Sequence, residues 1–323
     1  MKAIVNTAPG KLEMQERPMP EPGKGQVRIR TAACAICATD LEMIAGCERS
    51  RFPQVLGHEW SGVVESAGAG VDGKMVGSPC VAENVLADGG EVGFEHPGGY
   101  GQFLVTEARN VQVLPKRFAL AAAALIEPLA VCVRGIRRLR LEDRRSALVF
   151  GDGPIGLMMA MLLKRDGVGD ITLVGGRAER LQVARDAGAS RTFNYHEMGD
   201  ALATALQKKG AADFPNIIEA TGSAKALTAS FELAAVRGHI LLIGDYGRTK
   251  LDVPFQRVLH RELEFMASNA SAEAWPEAVR QATSGKVPLE RLITRIVPAQ
   301  DFASAFALVR DRKASAIKVV LQW

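Results

Sequence analysis

Short apolar runs alternating with polar residues dominate the first part of the chain. Val27-Arg28-Ile29-Arg30-Thr31 has period two, which predicts a half-buried strand. Residues 57–65 and 102–106 read as further short strands, and the opening MKAIVNTAPGKLEM reads as a strand and turn. Glycine and proline are dense between these runs, as in a small barrel or sandwich.

The pattern changes near residue 120. Residues 121–124 and 131–141 are helical in composition. An apolar run at 147–150 then leads into Gly151-Asp152-Gly153-Pro154-Ile155-Gly156. A helix-length apolar segment follows, with a stop at Gly167 and a second apolar run at 171–174. Strand, glycine turn, helix, strand is the unit that binds a dinucleotide. Gly151 allows the tight turn, Gly153 lets backbone approach a pyrophosphate, and Gly156 lets the helix meet the sheet. Pro154 suits the first helical turn, and the helix start there, with Ile155, favours a phosphate.

A helix over 178–187 is capped by Gly188. Then come the run Ile217-Ile218-Glu219-Ala220-Thr221-Gly222, a helix to about 235, a strand at 239–243 closed by Gly244, and a strand at 263–267. Strands alternating with helices predict an α/β domain with a doubly wound, mostly parallel sheet. Its ligand belongs at the C-terminal strand ends, where Thr221 and Gly244 lie. Two helices, 276–283 and 302–310, precede a last strand at 317–321 that can rejoin the β-rich part. The expected organisation is a domain of residues 1–129 and 271–323, interrupted by a cofactor domain of residues 130–270.

The end of the second cofactor-domain strand bears on cofactor choice. An NAD site usually has an acid about 20 residues after the glycine turn, bound to the ribose 2′-hydroxyl. Here Gly175 lies 19 residues beyond Gly156 (175 − 156), and Gly176 and Arg177 follow. Glycine removes the repulsion of a 2′-phosphate, and Arg177, with Arg180 one turn on, can bind one. NADP(H) is therefore expected over NAD(H), and Gly175→Asp is expected to move the preference toward NAD.

Composition narrows the classes. The 323 residues are 47% apolar and 24% charged, with net charge +4, too mild for a nucleic-acid partner. The basic run from Arg134 to Arg145 is interleaved with Ile136, Leu139 and Leu141 and reads as a solvated helix face. No stretch predicts a membrane span, and the start lacks the apolar core of a leader. Five scattered cysteines suggest reduced thiols in a cytoplasm. Cys34, Cys47, Cys80 and Cys132 read as small buried hydrophobes, the cluster Met158, Met159 and Met161 as core filling, and His96 as a solvated loop histidine. The strand at 263–267 reads as a sheet edge that needs covering, which predicts a homodimer or homotetramer.

Candidate chemistry sits in three places in the β-rich part: Cys37 with Thr39 and Asp40, the pair His58-Glu59, and Glu127 before Pro128. Thiolate, imidazole and carboxylate together are a zinc set, although the spacing is not that of a compact zinc motif.

The order Cys37-x-Thr39-Asp40, Gly57-His58-Glu59, Glu127-Pro128-Leu129-Ala130 and Gly151-x-Gly153-x-x-Gly156 resembles the zinc-dependent medium-chain dehydrogenase/reductase family. The likeness runs along essentially the whole chain and is closest to the polyol and threonine branch. It implies a GroES-like catalytic domain beside a Rossmann cofactor domain, an oligomer, and hydride exchange between an alcohol or polyol and a nicotinamide. It implies that Cys37 and His58 bind zinc, with Glu59 a ligand or a nearby carboxylate and Glu127 a direct or water-bridged ligand. Asp40 would fix the His58 tautomer, and Thr39 would pass the alcohol proton outward. Many relatives have glycine where this chain has Ala35 and Ala38. Many also carry four cysteines in a lobe that holds a structural zinc, whereas residues 70–110 contain only Cys80. One catalytic zinc and no structural zinc are expected. A zinc-free reductase of the same superfamily would not need Cys37, His58 and Glu127. A cofactor-binding sensor without turnover would not need Thr39 and Asp40.

Overall fold

The structure, a computed structural model, describes residues 1–199, 201–247, 250–311 and 314–323. The N-terminal elements are β1 (Lys2–Ala8), β2 (Lys11–Glu16), β3 (Gln26–Ala35), α1 (Ala38–Ala45), β4 (Glu59–Ala67), β5 (Pro79–Ala82), β6 (Phe103–Glu107), β7 (Val111–Val113) and α2 (Leu120–Ala123). Next come α3 (Ile126–Leu139), β8 (Ser146–Phe150), α4 (Pro154–Arg165), β9 (Asp170–Gly175), α5 (Ala178–Asp186), β10 (Arg191–Asn194) and α6 (Leu202–Lys208). They are followed by β11 (Phe214–Glu219), α7 (Ala224–Leu233), β12 (Ala234–Leu242), α8 (Phe255–His260) and β13 (Glu264–Ala267). The chain ends with α9 (Trp275–Thr283), β14 (Ile293–Pro298), α10 (Phe302–Arg310) and β15 (Lys318–Gln322).

The chain divides into two units, Met1–Pro128 with Trp275–Trp323, and Leu129–Ala274. The first is built on a seven-stranded sheet in the order β14-β15-β3-β4-β5-β7, with β6 also paired to β3. Antiparallel pairing of β15 with the end of β3 sets Val320 against Ala35 and Leu321 against Cys34. The last strand thus returns to the strand that leads into Cys37. In β3, Val27 and Ile29 are buried while Arg30 is exposed, so the period-two pattern has its physical cause in one covered face. The core beneath it joins Ile4, Trp60, Tyr100, Leu104, Phe306 and Val319.

The second unit is a parallel six-stranded sheet in the order β10-β9-β8-β11-β12-β13. The order reverses at β8, which places the ligand crevice beyond its C-terminal end. Helix α4 is buried from Gly156 to Leu163, as its uninterrupted apolar run requires, and the three methionines at 158, 159 and 161 are core. Arg137 and Arg138 lie on the exposed face of α3. The cysteine reading needs one correction. Cys34, Cys80 and Cys132 are buried, but Cys47 is exposed, because it follows the left-handed Gly46 that ends α1. Among the described residues no helix is long and apolar enough to cross a membrane.

Candidate active site

Helix α1 begins directly after β3, and its first turn carries the first cluster. Cys37 is its N-cap, and the Cys37 N–H donates to Asp40 Oδ2 at 2.8 Å. Asp40 is completely buried and accepts two more bonds, from His58 Nδ1–H at 3.1 Å and from the Tyr100 hydroxyl at 2.9 Å. Burial alone would raise the Asp40 carboxyl. The His58 charge and the converging donors outweigh it and hold the group below the usual carboxylate value. Because Asp40 takes Nδ1, the other ring nitrogen of His58 is left to face the site. Thr39 is exposed, with its hydroxyl 3.7 Å from Cys37 Sγ.

Ligand atoms of Cys37, His58 and Glu59 lie within 4.8 Å of one another. His58 and Glu59 stand at the start of β4, whose pairing sets Glu59 opposite Ala35. A thiol, an imidazole and a carboxylate converging on one point, with the imidazole oriented by a second carboxylate, fit a zinc ion.

Glu127, in the first turn of α3, is not part of that convergent set. Its carboxyl still responds to the site. Burial pushes it up to about 7, with His58 opposing and Glu59 adding to the rise.

Lys318 is a site residue that pattern reading passed over. It is buried on β15, and its ammonium forms an ion pair with both Glu59 oxygens, at 2.5 Å to Oε2. Burial opposes its charge, but Glu59 and Cys37 raise it above the ordinary lysine value. A lysine inside the apolar strand of Val319, Val320 and Leu321 was the available signal, since a charge there needs a buried partner.

His96 belongs elsewhere in the same unit. Its Nε2 lies 2.9 Å from Asp88 Oδ2, and it lines a separate cavity with Met1 and Arg17.

In the second unit a cavity of about 520 Å³ opens over the ends of β8, β9 and β11. Gly151, Gly153, Gly175, Arg177, Arg180 and Thr221 line it. Gly151 has φ +120°, and the space where a Gly153 side chain would begin is open. A Cβ on Gly156 would strike the Gly151 carbonyl, so helix and turn meet at backbone distance. Gly153 caps α4 with no side chain on the free N–H groups, and Pro154 starts the helix. An open backbone, a bare helix start and a crevice at the switch point fit a dinucleotide. Pro154, Ile155, Gly156, Gly176 and Gly244 do not line the cavity. Gly244 instead packs under the strand ends, where a Cβ would come within 2.9 Å of Glu219 Oε2.

Asp152 changes the reading of the β9 end. Its Oδ2 accepts the Gly176 and Arg177 N–H groups, each at 2.9 Å, and its Oδ1 lies 4.0 Å from Arg177 Nη1. A Cβ on Gly175 would fall 2.5 Å from Asp152 Cβ. The place that an acid at 175 would occupy is already filled by Asp152. Gly175→Asp would therefore force two carboxylates together, and the expected shift of preference toward NAD by that change is corrected. Gly176 is similarly confined, since a Cβ there would lie 2.5 Å from the Tyr195 ring. Tyr195 and Lys225 also line the cavity, and no local motif marked either.

With both sites described, comparison with known proteins places the chain. The alcohol dehydrogenase GroES-like domain model matches residues 23–116. The zinc-binding dehydrogenase model matches residues 154–284. The chain is 28% identical to the starvation-sensing protein RspB of Escherichia coli strain K12, over 99% of both chains. It is 26% identical to D-arabitol-phosphate dehydrogenase of Enterococcus avium, over 100% of this chain and 97% of the relative. A crystal structure of E. coli CFT073 RspB, described as a short chain alcohol dehydrogenase complexed with NADH, superposes with TM-score 0.93 at 27% identity, covering 100% and 99% of the two chains. Galactitol-1-phosphate dehydrogenase from E. coli superposes with TM-score 0.89 at 26% identity, covering both chains fully (100%). The chain belongs to the zinc-type medium-chain dehydrogenase family, whose members join a GroES-like domain to a Rossmann domain.

Proposed function

We propose that this protein transfers hydride between an alcohol or polyol and a nicotinamide cofactor, with NADP(H) preferred, and that it holds one zinc. The observation that carries the reading is the convergence of Cys37, His58 and Glu59 in a chain that also has the dinucleotide cradle. Cys37 and His58 would hold the ion, Glu59 would be a ligand or a nearby carboxylate paired with Lys318, and Glu127 would add a ligand or a hydrogen bond to a bound water. When bound, zinc supplies a Lewis acid that favours loss of the substrate hydroxyl proton. Asp40 keeps the His58 ring in the required tautomer. The exposed Thr39 hydroxyl carries the proton toward water.

Support for NADP(H) comes from charge. Among the described residues, Arg177, Arg180 and Lys225 line the cofactor cavity together with the carboxylate of Asp152, whose Oδ2 already accepts two backbone N–H groups. Burial lowers the Arg180 guanidinium, and the neighbouring Arg177 lowers it further, as two cations sharing an anion site would. A zinc-free reductase would leave the Cys37 cluster without a purpose.

The interrupted domain of residues 1–129 and 271–323 is assigned substrate and metal, and residues 130–270 the cofactor. The cytoplasm is the proposed location, in keeping with five free thiols. The test is a screen of secondary alcohols, sugar alcohols, hydroxy amino acids and phosphorylated sugar alcohols, with NADP and NAD compared by absorbance of the reduced cofactor. Reduction of NADP by at least one class is expected. Reduction of neither cofactor by any class would contradict the reading.

A further inference from the structure

Between residues 70 and 110 the only cysteine is Cys80, buried in β5, so this stretch lacks the four cysteines expected of a structural zinc lobe. The stretch nevertheless packs directly on Gly57 and His58. A Cβ on Gly93 would fall 2.6 Å from His58 N. Asn84 Nδ2 donates to the His58 carbonyl at 2.8 Å, and Gly99 N–H donates to the Gly57 carbonyl at 2.8 Å. Phe94 stacks on the His58 imidazole, with ring centres 4.6 Å apart and an interplanar angle of 26°.

Arg49 holds this turn from outside. Its guanidinium lies 4.2 Å from the centre of the Phe94 ring, so Phe94 is held between Arg49 and His58. The same guanidinium donates from Nε and Nη2 to the two Glu95 oxygens, at 2.6 and 2.7 Å, and from Nη2 to Glu91 at 2.8 Å. Glu95 Oε2 also accepts the Glu91 N–H at 3.1 Å, and Gln54 Nε2 donates to the Phe94 carbonyl. Exposed ion pairs usually contribute little. This one differs in its two-point fork, its second carboxylate and its stacked ring.

We propose that Arg49 is a positioning residue for the metal site: by clamping the turn at residues 91–96 it presses Phe94 against His58 and fixes the imidazole for zinc, without a second metal. The proposal rests on the reading that His58 binds zinc.

The experiment follows zinc release from purified holoenzyme to a coloured chelator. Arg49→Met keeps the aliphatic stem and should release zinc about tenfold faster, the lower range for loss of a group that orients a ligand. Arg49→Lys, which keeps the charge and loses the fork, should be intermediate. The swap Arg49→Glu with Glu95→Arg should release zinc more slowly than either single change. Circular dichroism and melting curves identify variants that fail to fold. Release from Arg49→Met at the wild-type rate overturns the proposal alone, as does a swap no slower than its single changes. Wild-type protein without zinc overturns the metal reading, and the proposal falls with it.

Discussion

Single residues divide the labour of the two sites. Arg177 is the residue on which the proposed NADP preference would turn. Arg177→Ala should cost about 1.5–3 kcal/mol in kcat/KM for NADP and change NAD little. Equal losses for both cofactors would refute the assignment. Gly175→Asp should impair both cofactors, because its side chain meets Asp152 before it reaches any ribose. Glu127 gives a pH signature in the metal-free protein. Its folded value of about 7 lies above the ordinary 4.5, so the folded state retains a proton that the unfolded chain releases. The unfolded state then binds fewer protons, and stability falls as pH rises from about 4.5 to about 7, then levels off. Urea unfolding of the metal-free protein should show this decline in wild type, and Glu127→Gln should flatten it. Parallel profiles for the two proteins would refute the assignment.

At the scale of elements, a strand end organises two loops. Glu219 closes β11, is completely buried, and accepts from Thr221 N–H at 2.8 Å, Gly222 N–H at 3.0 Å and the Tyr246 hydroxyl at 2.5 Å. It thereby ties the loop after β11 to the loop after β12. Glu219→Ala should cost about 1–3 kcal/mol for each donor left unpaired and weaken cofactor affinity. Calorimetry showing an unchanged midpoint would contradict this. Much of the repeat of strand and helix from β8 to β13 was legible, because the apolar runs at 147–150, 171–174 and 239–243 are each followed at once by glycine. Helices α4 and α10 announced themselves by apolar runs, and α4 and α5 by the glycines that follow them, Gly167 and Gly188. The short α1, α6 and α8 did not, since helices of 6–8 residues leave too few positions for a period to emerge. The candidate metal cluster was legible in its residue types but not in its bracing. Lys318, Phe94 and Arg49 act through pairings far apart in sequence, which no local spacing encodes.

At the scale of the whole molecule, among the described residues β13 stands at the edge of its sheet. Phe265 on that strand is 42% exposed, and Phe255 and Leu259 on α8 are 69% and 74% exposed. An unpaired edge beside apolar side chains invites a second copy. Light scattering at micromolar concentration should give a dimer or tetramer, and Phe265→Asp should shift it toward monomer. A wild-type monomer would contradict the expectation.

The account turns on one metal bound by Cys37 and its neighbours. Its most direct test is elemental analysis of the purified protein together with Cys37→Ala, each assayed for alcohol-dependent cofactor reduction. Wild type should contain about one zinc per chain, as three protein ligands and one open position require. Cys37→Ala should lose the metal and alcohol oxidation while still binding the cofactor. Full activity in metal-free Cys37→Ala protein would contradict the account, and two zinc ions per chain would contradict the absence of a structural site.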